Sequence, residues 1–587
     1  MSETRICQNC KQQFTIEPDD FAFYKKISVP PPTWCPECRL VRRLIVRNER
    51  SLYRRICDLC GKEKIMMFYP QSPFKVYCYE CWFGDNWNPM GYGKEYDFSQ
   101  PFFEQFSDLL HVVPRPGILK QGFAIESEYT NRVSEIRNCY LIFGSTASEN
   151  CFYGSWVNDS KECVDCYNLG KCERCYDCTD CVGCYNLQYS RDCHSCSNSY
   201  FLLNCRNCES CFGCTNLRNK SYCVFNKQYG KEEYQKLLEE HNLKSSAAIK
   251  RLQSRFISER SKHIVPSIIQ HHSTDVSGNW IEESKNVHYS FNCRNVEDGK
   301  YVLAAVIAKD VMDYAHFGRG VERIYDSINI GRQASSVFFS NESWDQSSNL
   351  QYCMNCRGSQ NLFGCIGVRN KSYCILNREY TKEEYEKLVP RIIEHMNTMP
   401  YADKKDRVYK YGEFFPPEIT PFAYNESLSQ EFFPLTKERA SELGYRWKDE
   451  ENRSYKITVK NNEIPDTIRL VSDAILDDVI GCEHGGKCNE QCTTAFKIVP
   501  QELNFYRQFN IPLPNLCPNC RHYQRLKQRN PLKLWHRKCM CDYQVYKNTV
   551  KHVHHPEGKC PNEFKTSYAP ERPEIVYCEQ CYNFEVV

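Results

Sequence analysis

The chain has 587 residues, with 76 Lys and Arg against 73 Asp and Glu, 41% hydrophobic residues and 39 cysteines. Mean hydropathy is −0.63, and apolar runs such as Tyr301 to Ala308 fall far short of the roughly 18 residues a transmembrane helix requires, so no membrane partner is expected. Near-balanced charge excludes a chain-wide electrostatic grip on nucleic acid, and at about 150 residues per domain the length predicts roughly four units.

In chain order, residues 1–97 read as a pair of zinc ribbons. Met1 to Gln12 lacks an apolar signal region and already carries Cys7 and Cys10, which points to a reducing cytoplasm where C-x2-C spacing means metal before disulfide. Zinc prefers four tetrahedral thiolates, and two knuckles separated by a hairpin deliver them. Cys7/Cys10 with Cys35/Cys38 form one such set, and Cys57/Cys60 with Cys78/Cys81 a second. Phe14-x-Ile16 and Phe21-x-Phe23 alternate as short strands do, with Pro30 to Pro32 ending them. Arg39, Arg43 and Arg47 recur at i, i+4 and i+8, one stripe on a helix and well suited to phosphate oxygens. Trp34 and Trp82 are candidate stacking aromatics. Residues 98–131 follow as a connector.

Residues 132–228 hold sixteen cysteines between Cys139 and Cys223, all in one register modulo three. Core positions recur every twelve residues through Cys139, Cys151, Cys163, Cys175, Leu187, Ser199, Cys211 and Cys223. Neither a strand nor a helix has this period, which predicts a narrow β-solenoid with one inward residue per short side. Residues 229–272 are helical, with Gln228 to Glu240 amphipathic and Lys244 to Lys262 a further basic helix. Residues 273–378 repeat the solenoid with steps of thirteen and then twelve through Val311, Ile324, Val337, Leu350 and Leu362. A helix, residues 379–398, follows. The two middles match at an offset of 151 residues, Arg218-Asn219-Lys220-Ser221-Tyr222-Cys223 returning as Arg369-Asn370-Lys371-Ser372-Tyr373-Cys374. Because Val, Leu, Ile, Phe and Ser replace cysteine in the second middle, the central thiols read as core packing; a metal cluster and disulfides are the alternatives.

Residues 399–480 form a connector rich in proline and aromatics. Here Tyr411-Gly412-Glu413-Phe414-Phe415-Pro416, Tyr424-Asn425-Glu426 and Pro434-Leu435-Thr436-Lys437-Glu438, together with the ending Val576-Tyr577-Cys578-Glu579-x-Cys581-Tyr582, resemble an uncharacterised cysteine-rich zinc-ribbon family of small-genome, uncultivated (candidate-phylum) bacteria. The resemblance implies zinc ribbons and a bacterial cytoplasm and brings no established activity.

Residues 481–587 repeat the N-terminal module: Cys10 to Cys38 and Cys492 to Cys520 are equally spaced, and Arg521, Arg525 and Arg529 match the first stripe. Cys488, Cys492, Cys517 and Cys520 are the expected third zinc set, with Cys482 as an alternative ligand. Cys541, Cys560, Cys578 and Cys581 are the expected fourth, with Cys539 as the alternative, beside an insert bearing His552, His554 and His555. Trp535 is a third candidate stacking ring.

The expected architecture is therefore mainly β with some α: terminal zinc-ribbon pairs flanking two narrow β-solenoids of about 12–13 residues per coil, each followed by a helix. No phosphate-binding loop, dinucleotide fingerprint, nucleophile elbow or zinc-hydrolase motif is present, and no small-molecule substrate is evident. The expected function is a non-enzymatic scaffold holding about four zinc ions. Its two basic ribbon modules would contact RNA or DNA, RNA in preference and ribosomal RNA included, through Arg39, Arg43, Arg47, Arg521, Arg525 and Arg529. A protein-interaction scaffold is the alternative, and a metal-cluster or metal-storage protein a more distant one.

Overall fold

A backbone that turns left-handed at every third residue can be neither a helix nor a flat sheet. In the computed structural model, which describes residues 2–449, 455–546 and 548–587 and only the backbone of Phe317, φ is 48° at Asn138, 51° at Leu141 and 59° at Gly144, and positive φ recurs at this spacing to Phe225. Each such residue turns a corner and the next side chain points inward. The residue before the corner pairs in parallel with its counterpart one coil on, as in Arg137↔Glu149, Lys161↔Glu173 and Glu173↔Tyr185. Asn and Asp tolerate the left-handed region, and where they stack they hydrogen-bond from coil to coil, Asn204 Nδ2 donating to Asn216 Oδ1 at 3.0 Å and Asn207 Nδ2 to Asn219 Oδ1 at 3.1 Å.

The inward positions are those read from the sequence. Cys139, Cys151, Cys163, Cys175, Leu187, Cys211 and Cys223 lie in one buried stack, and Val311, Ile324, Val337, Leu350 and Leu362 sit side by side in successive strands of a ten-stranded sheet that is parallel except for its last pair. The first coil begins earlier than the expected 132, at Lys120–Ile125. The connector before it contains a helix, Phe102–Val112. Gly318, with φ 152°, occupies a bulge where a Cβ would lie 1.9 Å from Val306 O.

Why cysteine fills this core follows from its hydrogen bonds. Cys178 Sγ donates toward Tyr176 O at 3.4 Å and Leu187 O at 3.2 Å. Serine does the same work: Ser190 Oγ donates to Gln188 O at 2.8 Å and accepts from Leu202 N at 2.9 Å. A small side chain with a weak donor therefore satisfies inward-facing backbone while filling little space. Burial pushes the Cys293 thiol up to about 12 and Cys166 well above its ordinary value, which favours the protonated form at those two positions.

The solenoids lie beside one another. Trp280 Nε1 donates to Asp192 Oδ1 at 3.2 Å, Arg132 pairs with Glu342, and the rings of Trp156 and His316 are 4.9 Å apart. Each ends in a hairpin, Cys223–Val224 with Lys227–Gln228 and Ser372–Ile375 with Arg378–Glu379, followed by helices at Lys231–Glu240, Ser246–Arg260 and Lys382–Thr398.

The terminal modules attach crosswise. The second N-terminal ribbon pairs Val76–Tyr77 with Arg115–Pro116, the entry to the first solenoid, and its Trp82 carbonyl accepts from Arg369 at the end of the second. The last ribbon pairs Ile575–Tyr577 with Ile264–Pro266, the entry to the second solenoid, while Tyr582 meets Asn204 and Arg218 at the end of the first. Exposed sheet ends invite further strand pairing, and covering them suppresses it. Phe21 and Phe23, expected on a strand, lie instead on the helix Pro18–Lys26, because Pro18 at its first turn and the Glu17/Asp20 capping box start a helix there.

Candidate metal centres

Each ribbon is built from a two-stranded hairpin followed by a short helix. The hairpins are Glu3–Ile6 with Gln13–Ile16, Tyr53–Ile56 with Glu63–Met66, Ile480–Gly481 with Ala495–Phe496, and Trp535–Lys538 with Glu563–Thr566. The first cysteine of every second knuckle, Cys35, Cys78, Cys517 and Cys578, is the N-cap of the following helix. A helix N-terminus favours the thiolate, the form that binds metal.

Among the described residues, tetra-cysteine groups that could hold a metal ion include Cys7, Cys10, Cys35, Cys38; Cys57, Cys60, Cys78, Cys81; Cys482, Cys492, Cys517, Cys520; and Cys539, Cys560, Cys578, Cys581. Sulfur separations are 3.8 Å for Cys10–Cys35, 3.9 Å for Cys60–Cys78, 3.9 Å for Cys482–Cys520, 4.0 Å for Cys492–Cys517, 3.7 Å for Cys539–Cys581 and 3.9 Å for Cys560–Cys578. A tetrahedron with metal–sulfur bonds of about 2.3 Å has edges of about 3.8 Å, whereas a disulfide would bring sulfurs to about 2.05 Å.

One backbone bond identifies the first ligand in all four. Cys35 N donates to Cys7 Sγ at 3.2 Å, Cys78 N to Cys57 Sγ at 3.2 Å, Cys517 N to Cys482 Sγ at 3.3 Å and Cys578 N to Cys539 Sγ at 3.1 Å. At two positions this bond singles out the alternative ligand named from the sequence. Cys482 takes the place of Cys7, and Cys488 is a fifth sulfur within reach of the same group, 3.6 Å from Cys520. Cys539, not Cys541, takes the place of Cys57. The C-terminal copy carries an insert inside each first knuckle, so cysteines adjacent in sequence no longer share a turn. Although burial opposes it, the N–H groups of Cys60 and Cys78 hold the Cys57 thiol down to about 7.

Five of the six stripe arginines face inward, and Arg529 is half-buried. Arg39, Arg43, Arg47, Arg521 and Arg525 are buried. Arg39 Nε donates to Asp313 Oδ2 at 2.7 Å, Arg43 Nη1 to Asp326 Oδ1 at 2.5 Å, and Arg43 Nη2 to Asp313 Oδ1 at 3.3 Å. Arg47 pairs with Glu49. In the other module Arg521 and Arg525 share Asp165, Arg525 lies 3.7 Å from Asp177, and Arg529 stacks over Tyr167 with 4.4 Å to the ring centroid. The physical reason is a match of spacings. Asp313 and Asp326, like Asp165 and Asp177, occupy left-handed corners one coil apart, a rise of about 4.8 Å, close to the about 6 Å between helix residues i and i+4. The sequence reading missed Arg42, which lies wholly buried between Glu413 and Asp326 at 2.8 Å each. Trp34 and Trp82, expected as stacking platforms, are 0% and 1% exposed; Trp535 is half-buried. Trp34 lies under the Arg42 guanidinium, and Trp82 Nε1 donates to Pro114 O.

No protein-family model matches the chain, and no curated protein matches it. Among solved structures, a proposed acetyltransferase from Desulfovibrio desulfuricans G20 is 10% identical over 48% of this chain and 74% of its own, with a TM-score of 0.08, too loose a superposition to bear on fold or activity.

Proposed function

We propose that the chain is a non-enzymatic, zinc-clasped scaffold whose ribbons work inward, locking two solenoids together, and whose cleft between the solenoids docks a protein partner. The observation that carries this reading is the burial of the arginine stripes against the Asp313/Asp326 and Asp165/Asp177 corners. Zinc is the metal we assign, because tetrahedral thiolate sets closed by four protein ligands are its usual structural site. Such sites hold small modules folded and leave no open position for catalysis. Among the described residues no helix is long and apolar enough to cross a membrane.

One surface open to a partner is the cleft between the solenoids, a cavity of about 320 Å³. Its walls carry Lys171 and Arg319 beside Asp159 and Glu282, with Trp280 and Trp344. Mixed charge with aromatic anchors suits a polypeptide, whereas a nucleic-acid groove is lined by one sign of charge. This replaces nucleic acid by protein as the favoured partner, since the six arginines on which the RNA reading rests are engaged internally or stacked on Tyr167. Filter binding of the full-length chain to RNA and DNA across salt concentrations tests the choice. We expect no saturable binding at physiological salt; a log–log salt slope of several units would overturn the proposal and restore phosphate contact.

A further inference from the structure

The insert in the last ribbon converges on more donors than one ion can use. Cys541 Sγ lies 3.5 Å from His552 Nδ1, which lies 3.2 Å from His555 Nε2, which in turn lies 3.1 Å from Cys581 Sγ. All four side chains are buried, and their four donor atoms lie within 4.8 Å of one another. With bonds of about 2.3 Å to sulfur and about 2.05 Å to nitrogen, a tetrahedral ion sets sulfur–nitrogen edges of about 3.5 Å and a nitrogen–nitrogen edge of about 3.3 Å. The observed separations follow that pattern.

The surroundings prepare these atoms as ligands. Glu585 Oε1 lies 2.9 Å from His552 Nε2, and the same carboxylate accepts from Thr549 N at 2.8 Å and Thr549 Oγ1 at 2.7 Å. A carboxylate at Nε2 fixes the proton there, so the Nδ1 lone pair points at Cys541 and His555, the arrangement by which an outer carboxylate orients a metal-bound histidine. Asn548 Nδ2 donates to Cys541 Sγ at 3.1 Å and is itself fixed by Tyr577 Oη at 2.9 Å from its Oδ1. His555 Nδ1 is buried with no protein partner.

We propose that Cys541, His552 and His555 bind a second divalent cation of the zinc class, sharing the Cys581 sulfur with the Cys539/Cys560/Cys578/Cys581 ion as a thiolate-bridged pair. This rests on the reading of that ribbon as a metal site and adds one ion to its count. Charge favours the pair. Four thiolates around a single divalent ion leave about two net negative charges in a buried site, whereas five thiolates, two neutral imidazoles and two ions leave about one. Both coordination shells are filled by protein, so the pair is structural: it ties the insert to the helix Glu579–Val586, which supplies both Cys581 and Glu585.

Elemental analysis of the full-length chain should give five zinc ions. The double variant His552→Ala/His555→Ala should lose one, and the control Cys57→Ser should also lose one. X-ray absorption should show a metal–metal vector of about 3.5–4 Å in the wild type, absent from the histidine variant. Glu585→Gln keeps every ligand in place and should release one ion about 10–100-fold more readily to a competing chelator. Retention of the wild-type count by the histidine variant while Cys57→Ser loses an ion would overturn the second site and leave the ribbons standing. Loss of none by Cys57→Ser would instead overturn the ribbon reading itself. A Glu585→Gln release profile identical to wild type would also refute the bridged pair, even if the histidine variant failed to fold.

Discussion

Asp326→Asn should loosen the N-terminal ribbon from the second solenoid without touching a metal ligand. Asp326 Oδ2 accepts from Arg42 Nη2 at 2.8 Å and its Oδ1 from Arg43 Nη1 at 2.5 Å, with all three side chains 0% exposed. Removing one member of a buried pair leaves an uncompensated charge and costs about 3–5 kcal/mol. Arg42 keeps Glu413 and Arg43 keeps Asp313, which places the cost at about 3 kcal/mol, or roughly a 100-fold change in an opening equilibrium. A metal-bearing chain of this length need not unfold in two states, so amide hydrogen exchange is the suitable assay. Protection of the helix Pro36–Ile45 should fall about 100-fold while that of the coils around Cys175 is unchanged. The exposed pair Lys161–Glu149 gives the scale for a surface contact, about 0–1 kcal/mol, and Glu149→Gln should scarcely register. If Asp326→Asn loosened the helix no more than Glu149→Gln does, the buried clamp would be wrong and the arginines would again be free to meet phosphate.

Other expectations follow from the core and the connector. Cys178→Val should leave metal content unchanged and cost about 1 kcal/mol in thermal or chemical unfolding, having lost a thiol–carbonyl contact; loss of an ion would return the central cysteines to the metal reading. Ser190→Ala strands the Leu202 N–H and should cost about 1–3 kcal/mol, whereas Ser190→Cys should fold nearly as wild type; equal stabilities for the two would refute the role given to the inward polar atom. Glu431 lies 3.1 Å from His522, and burial pushes its carboxyl up from an ordinary 4.5 to about 7. A raised folded-state pKa contributes stability that is complete below about pH 4.5 and lost as pH rises through about 7. Glu431→Gln should therefore flatten the dependence of Tm on pH across that window, and an unchanged slope would exclude Glu431 as its source.

Much of this was legible because periodicity is a backbone property. A register of three with a repeat of twelve leaves little besides a four-sided coil, and the step of thirteen at Val311, Ile324, Val337 and Leu350 reappears residue for residue in the strand pairing. The knuckles were equally legible wherever C-x2-C is intact. Where inserts split a knuckle, spacing along the chain ceased to report proximity, and Cys488 and Cys541 stood in for Cys482 and Cys539. The arginine stripes show a different limit. Helical spacing tells which side chains share a face but not what lies opposite, and the needed signal, acidic residues at coil spacing in the other half of the chain, becomes visible only once the corners are known to stack. Trp34 and Trp82 misled for the same reason.

The crosswise attachment has a consequence for how the protein is made. Arg43 waits for Asp313, 270 residues further on, and at about 5–20 residues per second that interval is roughly 14–54 s. Until then the first ribbons are tethered to nothing but the growing solenoid they will later bridge, with a helix of unpaired guanidinium groups exposed to whatever anions the ribosome offers. Metal capture by Cys7, Cys10, Cys35 and Cys38 is local and needs no later sequence, so it can hold this module folded through the delay. The last module faces the opposite situation: Asp165 and Asp177 stand ready when Arg521 and Arg525 emerge, and closure at that end can follow synthesis directly. The molecule is thus assembled as a strap threaded from the front and buckled from the back.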